Sequence, residues 1–263
     1  MKRCLQQYLM LLLVLLSACT ASARRPLTTA SDFTGVGTVK APAELPQQVI
    51  ERHAYIVSYC KVTRSPNWVA WHLTAENTDG PYTRKGMSYT EDRTVGVPRA
   101  TNADFHRSGY SRGHLCPAAD NKWSMVAMQE AFLLSNVCAQ DRSLNSGHWN
   151  RIEQSCRRWA KRYGDIYIIT GPFYLTSKKL QFIGKNRVAV PDGFFKVVLR
   201  LGKDPQAIGF IYRNSDGGKK KPLHVNTLAD VERITHYTFF PEIQGSLRQQ
   251  LWHNADIKNW SKK

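Results

Sequence analysis

The chain of 263 residues contains no CxxC pair, which removes the usual frame of a structural zinc site. It has no internal repeat, which excludes solenoid and propeller arrays. Its longest apolar run, Tyr8 to Leu16, is nine residues, too short to cross a bilayer as a stable helix. No linker-like change of composition divides residues 48 to 253, so two separate domains are excluded in favour of one of about 210 residues. Acidic residues are scarce: 20 Asp and Glu stand against 37 Lys and Arg, a formal charge of +17. A surplus of that size draws polyanions at long range and in a salt-dependent way, although solubility alone would also account for it.

What is present starts at the N-terminus. Lys2 and Arg3 precede the apolar run, which reads as a signal peptide. Leu16-Ser17-Ala18-Cys19 has the form of a bacterial lipobox, giving a leader over 1–18 and a lipid on Cys19. Ala21-Ser22-Ala23 offers ordinary cleavage over 1–23 instead. The expectation is an exported, membrane-anchored lipoprotein at the outer membrane or cell surface, with a periplasmic or secreted product as the other outcome. Residues 19–48 read as a tether, and 49–263 as the folded domain.

With Cys4 and Cys19 set aside, Cys60, Cys116, Cys138 and Cys156 allow three pairings. An oxidising compartment favours disulfides. Cys138–Cys156 is expected because it would close the loop around Asn145, which leaves Cys60–Cys116.

Along the chain, His53–Tyr59 and Trp68–Leu73 alternate as strands, with a turn at Arg64–Asn67 between them. Trp68 and Trp71 are read as core. Residues 76–110 are polar, punctuated by Gly and Pro, and carry Arg84, Arg93, Arg99 and Arg107. Helical spacing predicts a helix over 124–136 with Ser124 as N-cap. It predicts another over 146–162, whose stripe is Trp149, Ile152, Cys156, Trp159 and Tyr163. Strands follow at 166–170 (ending at Gly171-Pro172), 188–190, 194–199 and 207–211. Residues 214–222 form a lysine-rich loop, and Thr227 caps a short helix over 227–235.

The stretch from Gly109 to Arg157 gathers the chemistry. His114 is a titratable base beside the cation Arg112. Asn145 offers a neutral oxygen to a hard cation such as Mg²⁺, though an Asn opening a helix is equally a favoured N-cap. Glu153 and Arg157 follow as an i,i+4 pair. Phosphodiester hydrolysis needs such a set: a proton acceptor, oxygen donors for a cation, and guanidinium groups for phosphate oxygens.

These residues carry a resemblance. Ser111-Arg112-Gly113-His114, Ser135-Asn136-Val137 and Asn145, Trp149, Asn150, Glu153 resemble the DNA/RNA non-specific endonuclease family. So do Arg99 to Asp104 (RATNAD), Thr170-Gly171-Pro172 and Ile183 to Pro191 (IGKNRVAVP). The similarity runs from about residue 50 to about 245, and the ordered set is far more specific than RGH alone. It implies an α+β, ββα-metal nuclease fold with a central antiparallel sheet flanked by helices. It implies a metal-dependent, sequence-non-specific endonuclease acting on DNA and RNA. His114 is then the general base, with Arg112 and Arg157 at the phosphate. Asn145 holds Mg²⁺ (Mn²⁺ or Ca²⁺ in its place), and Glu153 acts through a metal-bound water, since it lies about 12 Å further along the helix. Arg84 and Arg99 are expected to contact substrate. The family motif opens on Asp where this chain has Ser111, which removes a negative charge there. The sequence leaves oligomeric state open, a homodimer included. The alternatives are a basic surface lipoprotein that binds nucleic acid without cutting it, and a phosphodiesterase for small substrates.

Overall fold

The computed structural model describes residues 38–261 except 176, 216 and 218–221. The leader, Cys19 and the lysines Lys219, Lys220 and Lys221 lie outside the described residues.

Six antiparallel strands form the central sheet. In chain order they are β1 (Gln48–Glu51), β2 (Ile56–Cys60), β3 (Ser65–Thr74), β6 (Asp165–Phe173), β7 (Gly193–Arg200) and β8 (Gln206–Arg213). Their order across the sheet is β8-β7-β6-β3-β2-β1. The hairpin of β2 and β3 turns earlier than expected: Arg64 takes φ 55°, and Ser65 to Asn67 already belong to β3. β6 runs on through Gly171 and Pro172 rather than ending there. Beyond Thr170 it pairs only with β7, so the missing N–H of Pro172 breaks no ladder bond. The fold also reaches back into the stretch expected as a tether, since Val39–Lys40 pairs with Thr238–Phe239.

Side chains alternate across this sheet, and each face carries its own layer. One face presents Val69, Trp71, Ile168, Phe194, Val198 and Phe210 to helix α2 (Asn150–Tyr163). The helix answers with Ile152, Cys156, Trp159 and Ala160, and Trp149 joins them from just before its start. Burying each large apolar side chain stabilises by roughly 1.5–3 kcal/mol. The opposite face presents Trp68, Ala70, Ile169, Phe195 and Val197 to helices α3 (Leu228–Thr235) and α4 (Gly245–His253).

A two-stranded ribbon stands beside the sheet: β4 (Ser111–His114) pairs antiparallel with β5 (Val137–Gln140). Helix α1 (Met125–Ala131) lies between them in sequence, capped by Ser124, whose Oγ accepts from Ala127 N. It stops five residues short of the expected end. Asn136 instead donates from Nδ2 to Ala131 O and Cys116 O, and accepts from Cys116 N, clamping the helix end to the strand. Gly113 is required by closeness: a Cβ there would lie 2.2 Å from Gln140 Oε1. The RATNAD and IGKNRVAVP stretches meet as one staple. Asp104 closes a capping box with Thr101 and accepts from Asn186 N and Nδ2, and Gly184 (φ 64°) passes against its backbone.

Neither expected disulfide is formed. Cys60, Cys116, Cys138 and Cys156 are buried free thiols. Cys116, Cys138 and Cys156 pack as small apolar groups in the core under α2, while Cys60 closes β2 outside that cluster. Burial pushes the thiols of Cys116, Cys138 and Cys156 up, the last to about 12.

Two outcomes follow for the folded chain. Ellman's reagent should leave these four cysteines untouched in the native protein and titrate all four in denaturant; a native disulfide would show as missing thiols in denaturant. Asp104→Asn should cost about 1–2 kcal/mol in urea denaturation near neutral pH. Burial raises the Asp104 pKa, but hydrogen bonds from Asn186 and Thr101 outweigh it, so the net shift is downward. A depressed carboxylate stabilises above its unfolded value and loses that contribution as pH falls through the folded value. The gap between wild type and variant should therefore close below about pH 4.

Candidate active site

β4 ends on His114, and α2 begins one turn after Asn145. The gap between them is a cleft of 490 Å³ lined by Arg84, Tyr89, His114, Lys122, Asn145, Asn150, Glu153 and Arg157, among others. Four of the residues singled out for chemistry, His114, Asn145, Glu153 and Arg157, thus share one cleft, and Arg84 joins them.

The geometry at His114 decides its protonation. Tyr89 Oη donates to Arg112 O at 2.9 Å and lies 3.2 Å from His114 Nδ1. A phenol has one proton, and this one is committed to the carbonyl, so Nδ1 must be the donor to Tyr89. That fixes the proton on Nδ1 and leaves the lone pair on Nε2, which is screened from solvent and has no hydrogen-bond partner among the described residues. The ring is held edge-on to Phe132 at 5.0 Å. Burial, and then the charge of Arg84, pull the His114 pKa down to about 3, so the imidazole is neutral near pH 7.

Arg157 is not the partner of Glu153. Its Nη1 donates to Asp120 Oδ1 at 2.9 Å, and Trp71 Nε1 donates to Asp120 Oδ2 at 3.1 Å. Asp120 is 2% exposed, and burial raises its pKa against the pull of Arg157. Beneath the cleft, Lys196 reaches up from β7, its Nζ 4.9 Å from the ring centroids of both Trp71 and Trp149. Burial raises the Glu153 pKa to about 7, while the charges of Lys196 and Arg157 act to lower it.

Asn145 is relieved of capping. Asp141 takes that position, its Oδ1 accepting from Ser143 N and Leu144 N, and Asn145 opens a π-type turn, Asn145–Trp149, kinked at Gly147. Single π turns of this kind recur at functional sites. The oxygen donors on this side of the cleft are few and hard: the amides of Asn145 and Asn150, the hydroxyl of Ser146 and the carboxylate of Glu153. No group of three or more His, Cys, Asp or Glu that could hold a metal occurs among the described residues. So sparse a set fits an ion that keeps most of its waters, as Mg²⁺ does, and fits poorly with an ion that needs a full protein cage.

Two expected residues stand elsewhere. Arg112 packs behind the site, its guanidinium 5.2 Å from the Tyr89 ring and 5.9 Å from Phe105. Arg99 lines a separate hollow and is bound to Glu91 at 3.2 Å. Ser111 pairs with Gln140 at the far end of β4 and does not line the cleft, so the missing acid is remote from it. Sequence reading passed over Tyr89, Asp120, Lys122 and Lys196. Asp120 did leave a signal, as the only acid between His114 and Glu130. Tyr89 left none, in a segment without period.

The sequence model of the DNA/RNA non-specific endonuclease family matches residues 34–246. The human protein named Nuclease EXOG, mitochondrial, is 36% identical over 221 residues, covering 78% of this chain and 58% of that protein. Its Danio rerio counterpart is 37% identical over 226 residues, covering 79% and 65%. The chain thus spans less than two thirds of these two relatives. Human Endonuclease G, mitochondrial, is 36% identical over 217 residues, covering 76% of this chain and 73% of that protein. The crystal structure of the EndoG/EndoGI complex superposes with a TM-score of 0.72 at 31% identity, covering 77% of this chain and 88% of the other. These relatives are mitochondrial nucleases by name, which overturns the expectation of an exported, membrane-anchored lipoprotein bearing a lipid on Cys19. The expected sheet flanked by helices and the expected motif set both hold, and the chain belongs to the DNA/RNA non-specific endonuclease family.

Proposed function

We propose that this chain is a divalent-metal-dependent endonuclease that hydrolyses phosphodiester bonds of DNA and RNA without reading base sequence. The observation that carries this reading is the Tyr89 clamp. It leaves a neutral His114 with its lone pair on Nε2, in a cleft that also holds Arg157, Asn145 and Glu153. His114 accepts a proton from the attacking water as the water oxygen bonds to phosphorus. The P–O bond to the leaving ester oxygen breaks, and that oxygen takes a proton from a water of the cleft. Arg157, anchored by Asp120, and Arg84 neutralise the charge that accumulates on the phosphate oxygens as the transition state forms. The Asn145 oxygen would hold Mg²⁺, or Mn²⁺ or Ca²⁺ in its place, and Glu153 would orient a water of its shell. Bound there, the ion supplies further charge neutralisation at the phosphate. Arg112 is a positioning residue, since its backbone carbonyl accepts the Tyr89 hydrogen bond. Phosphate contacts are blind to base identity, which suits DNA and RNA alike.

Digestion of plasmid and RNA with and without EDTA tests the activity; binding without cleavage under any divalent metal would favour a non-catalytic nucleic-acid binder. Single-turnover assays beside binding titrations test the roles. His114→Ala should slow cleavage about 10²–10⁴-fold with little change in affinity; cleavage at the wild-type rate would refute the mechanism. Asn145→Ala should also suppress cleavage, in part recovered by excess Mg²⁺. Tyr89→Phe should lower kcat with KM nearly constant, because the ring packing survives while the tautomer is freed. An equal loss in both parameters would argue instead for a disturbed cleft.

A further inference from the structure

The cleft does not end at Arg157. A second depression, of 410 Å³, shares Lys122 and Arg157 with it and adds Arg158 and Lys161. A third, of 770 Å³, shares Arg158 and Lys161 with the second and adds Arg151 and Arg162. The three hollows therefore form one connected path over the outer face of α2. The third has four cationic side chains on its lining and no acid. The second has one acid, Asp79, in an exposed pair with Lys161 at 2.9 Å, which a polyanion can displace. Trp159 and Trp260, both buried, give the third hollow a fixed apolar floor rather than stacking platforms. On the other side, the hollow that meets the cleft at Tyr89 carries Arg93 and Arg99 beside an acid, Glu91, which holds Arg99.

We propose that this path is an extended phosphate-binding track, and that a strand whose scissile phosphate sits at His114 continues across α2 into the third hollow. The inference rests on the nuclease reading for its orientation. The third hollow alone runs beside the helix from Arg151 to Arg162, a rise of about 16 Å and the reach of several nucleotides. Contacts to backbone charge there add affinity for long substrates and none for sequence.

Fluorescence anisotropy in EDTA tests this on the whole chain, with labelled single strands of about four and about twenty nucleotides over a salt series. Arg158→Glu with Lys161→Glu should weaken the long strand about tenfold and flatten its log–log salt dependence by about two phosphate contacts. The short strand should move by less than about twofold, so that the long-to-short preference collapses. Arg158→Gln with Lys161→Gln should give a smaller change of the same sign, which separates lost contacts from added repulsion. An equal loss for both lengths, or an unchanged salt slope, would overturn the track. Because binding is read without metal, that result stands apart from activity. A wild type that never cuts under any divalent ion would sink the nuclease reading and leave the binding result to decide the track.

Discussion

The site depends on one buried carboxylate. Asp120 joins three elements that would otherwise be independent: the central strand β3 through Trp71, the segment after β4 on which it sits, and helix α2 through Arg157. Burial raises its pKa, so keeping it ionised at neutral pH costs the fold free energy. A carboxylate held at such a cost is poorly explained as a stabilising feature, since well-packed apolar groups commonly do as well or better in that place. It is well explained as an anchor. It fixes the Arg157 guanidinium at the cleft wall, and in the proposed reaction that placement would spare reorganisation when phosphate arrives, the condition for electrostatic catalysis.

Lys196 works from below in the same sense. It lies between Phe194 and Val198 on the face of β7 that turns toward α2, where the indole faces of Trp71 and Trp149 and the nearby acids Glu153 and Asp120 make a cation tolerable. Its charge opposes the burial that lifts Glu153 to about 7, and so favours a carboxylate at the one acid lining the cleft. The aromatic stripe that packs the helix thus also carries the cation. Core and site are one construction on this face of the sheet, whereas the opposite face, under α3 and α4, is packing alone.

Much of this was legible in the chain. Strands β6, β7 and β8 announce themselves by apolar runs, α2 by its stripe, and the site by the order of RGH, Asn145 and Glu153. What was hidden is hidden for physical reasons. Asn145 satisfied the local rule for an N-cap, but Asp141, four residues earlier, satisfied it too and won, because a further turn then forms before the kink at Gly147. Four cysteines in a chain read as exported suggested disulfides, yet thiols pack in an apolar core without needing partners. Lys196, in a strand of Phe and Val, breaks the apolar pattern by one residue, and only the register across from Thr170 shows which face it joins. Tyr89 lies in a loop, where side-chain placement depends on contacts distant in sequence.

In the proposed mechanism Tyr89 fixes the tautomer of the base but not its strength. An imidazole whose pKa is near 3 is always neutral at pH 7, but it is a weak proton acceptor. Arg84 is one of the two causes of that depression, and its guanidinium stands in the same cleft. A phosphodiester bound there would bring a negative charge that offsets Arg84 and raises the basicity of Nε2. The free site thus keeps its histidine from protonating on Nε2, and Tyr89 keeps the Nδ1 proton in place. In the proposed mechanism the substrate would return only the part of the basicity that Arg84 removes, while burial, the larger cause, stays. On that proposal, a neutral ester of similar shape would leave Arg84 unneutralised and His114 weaker still as a proton acceptor.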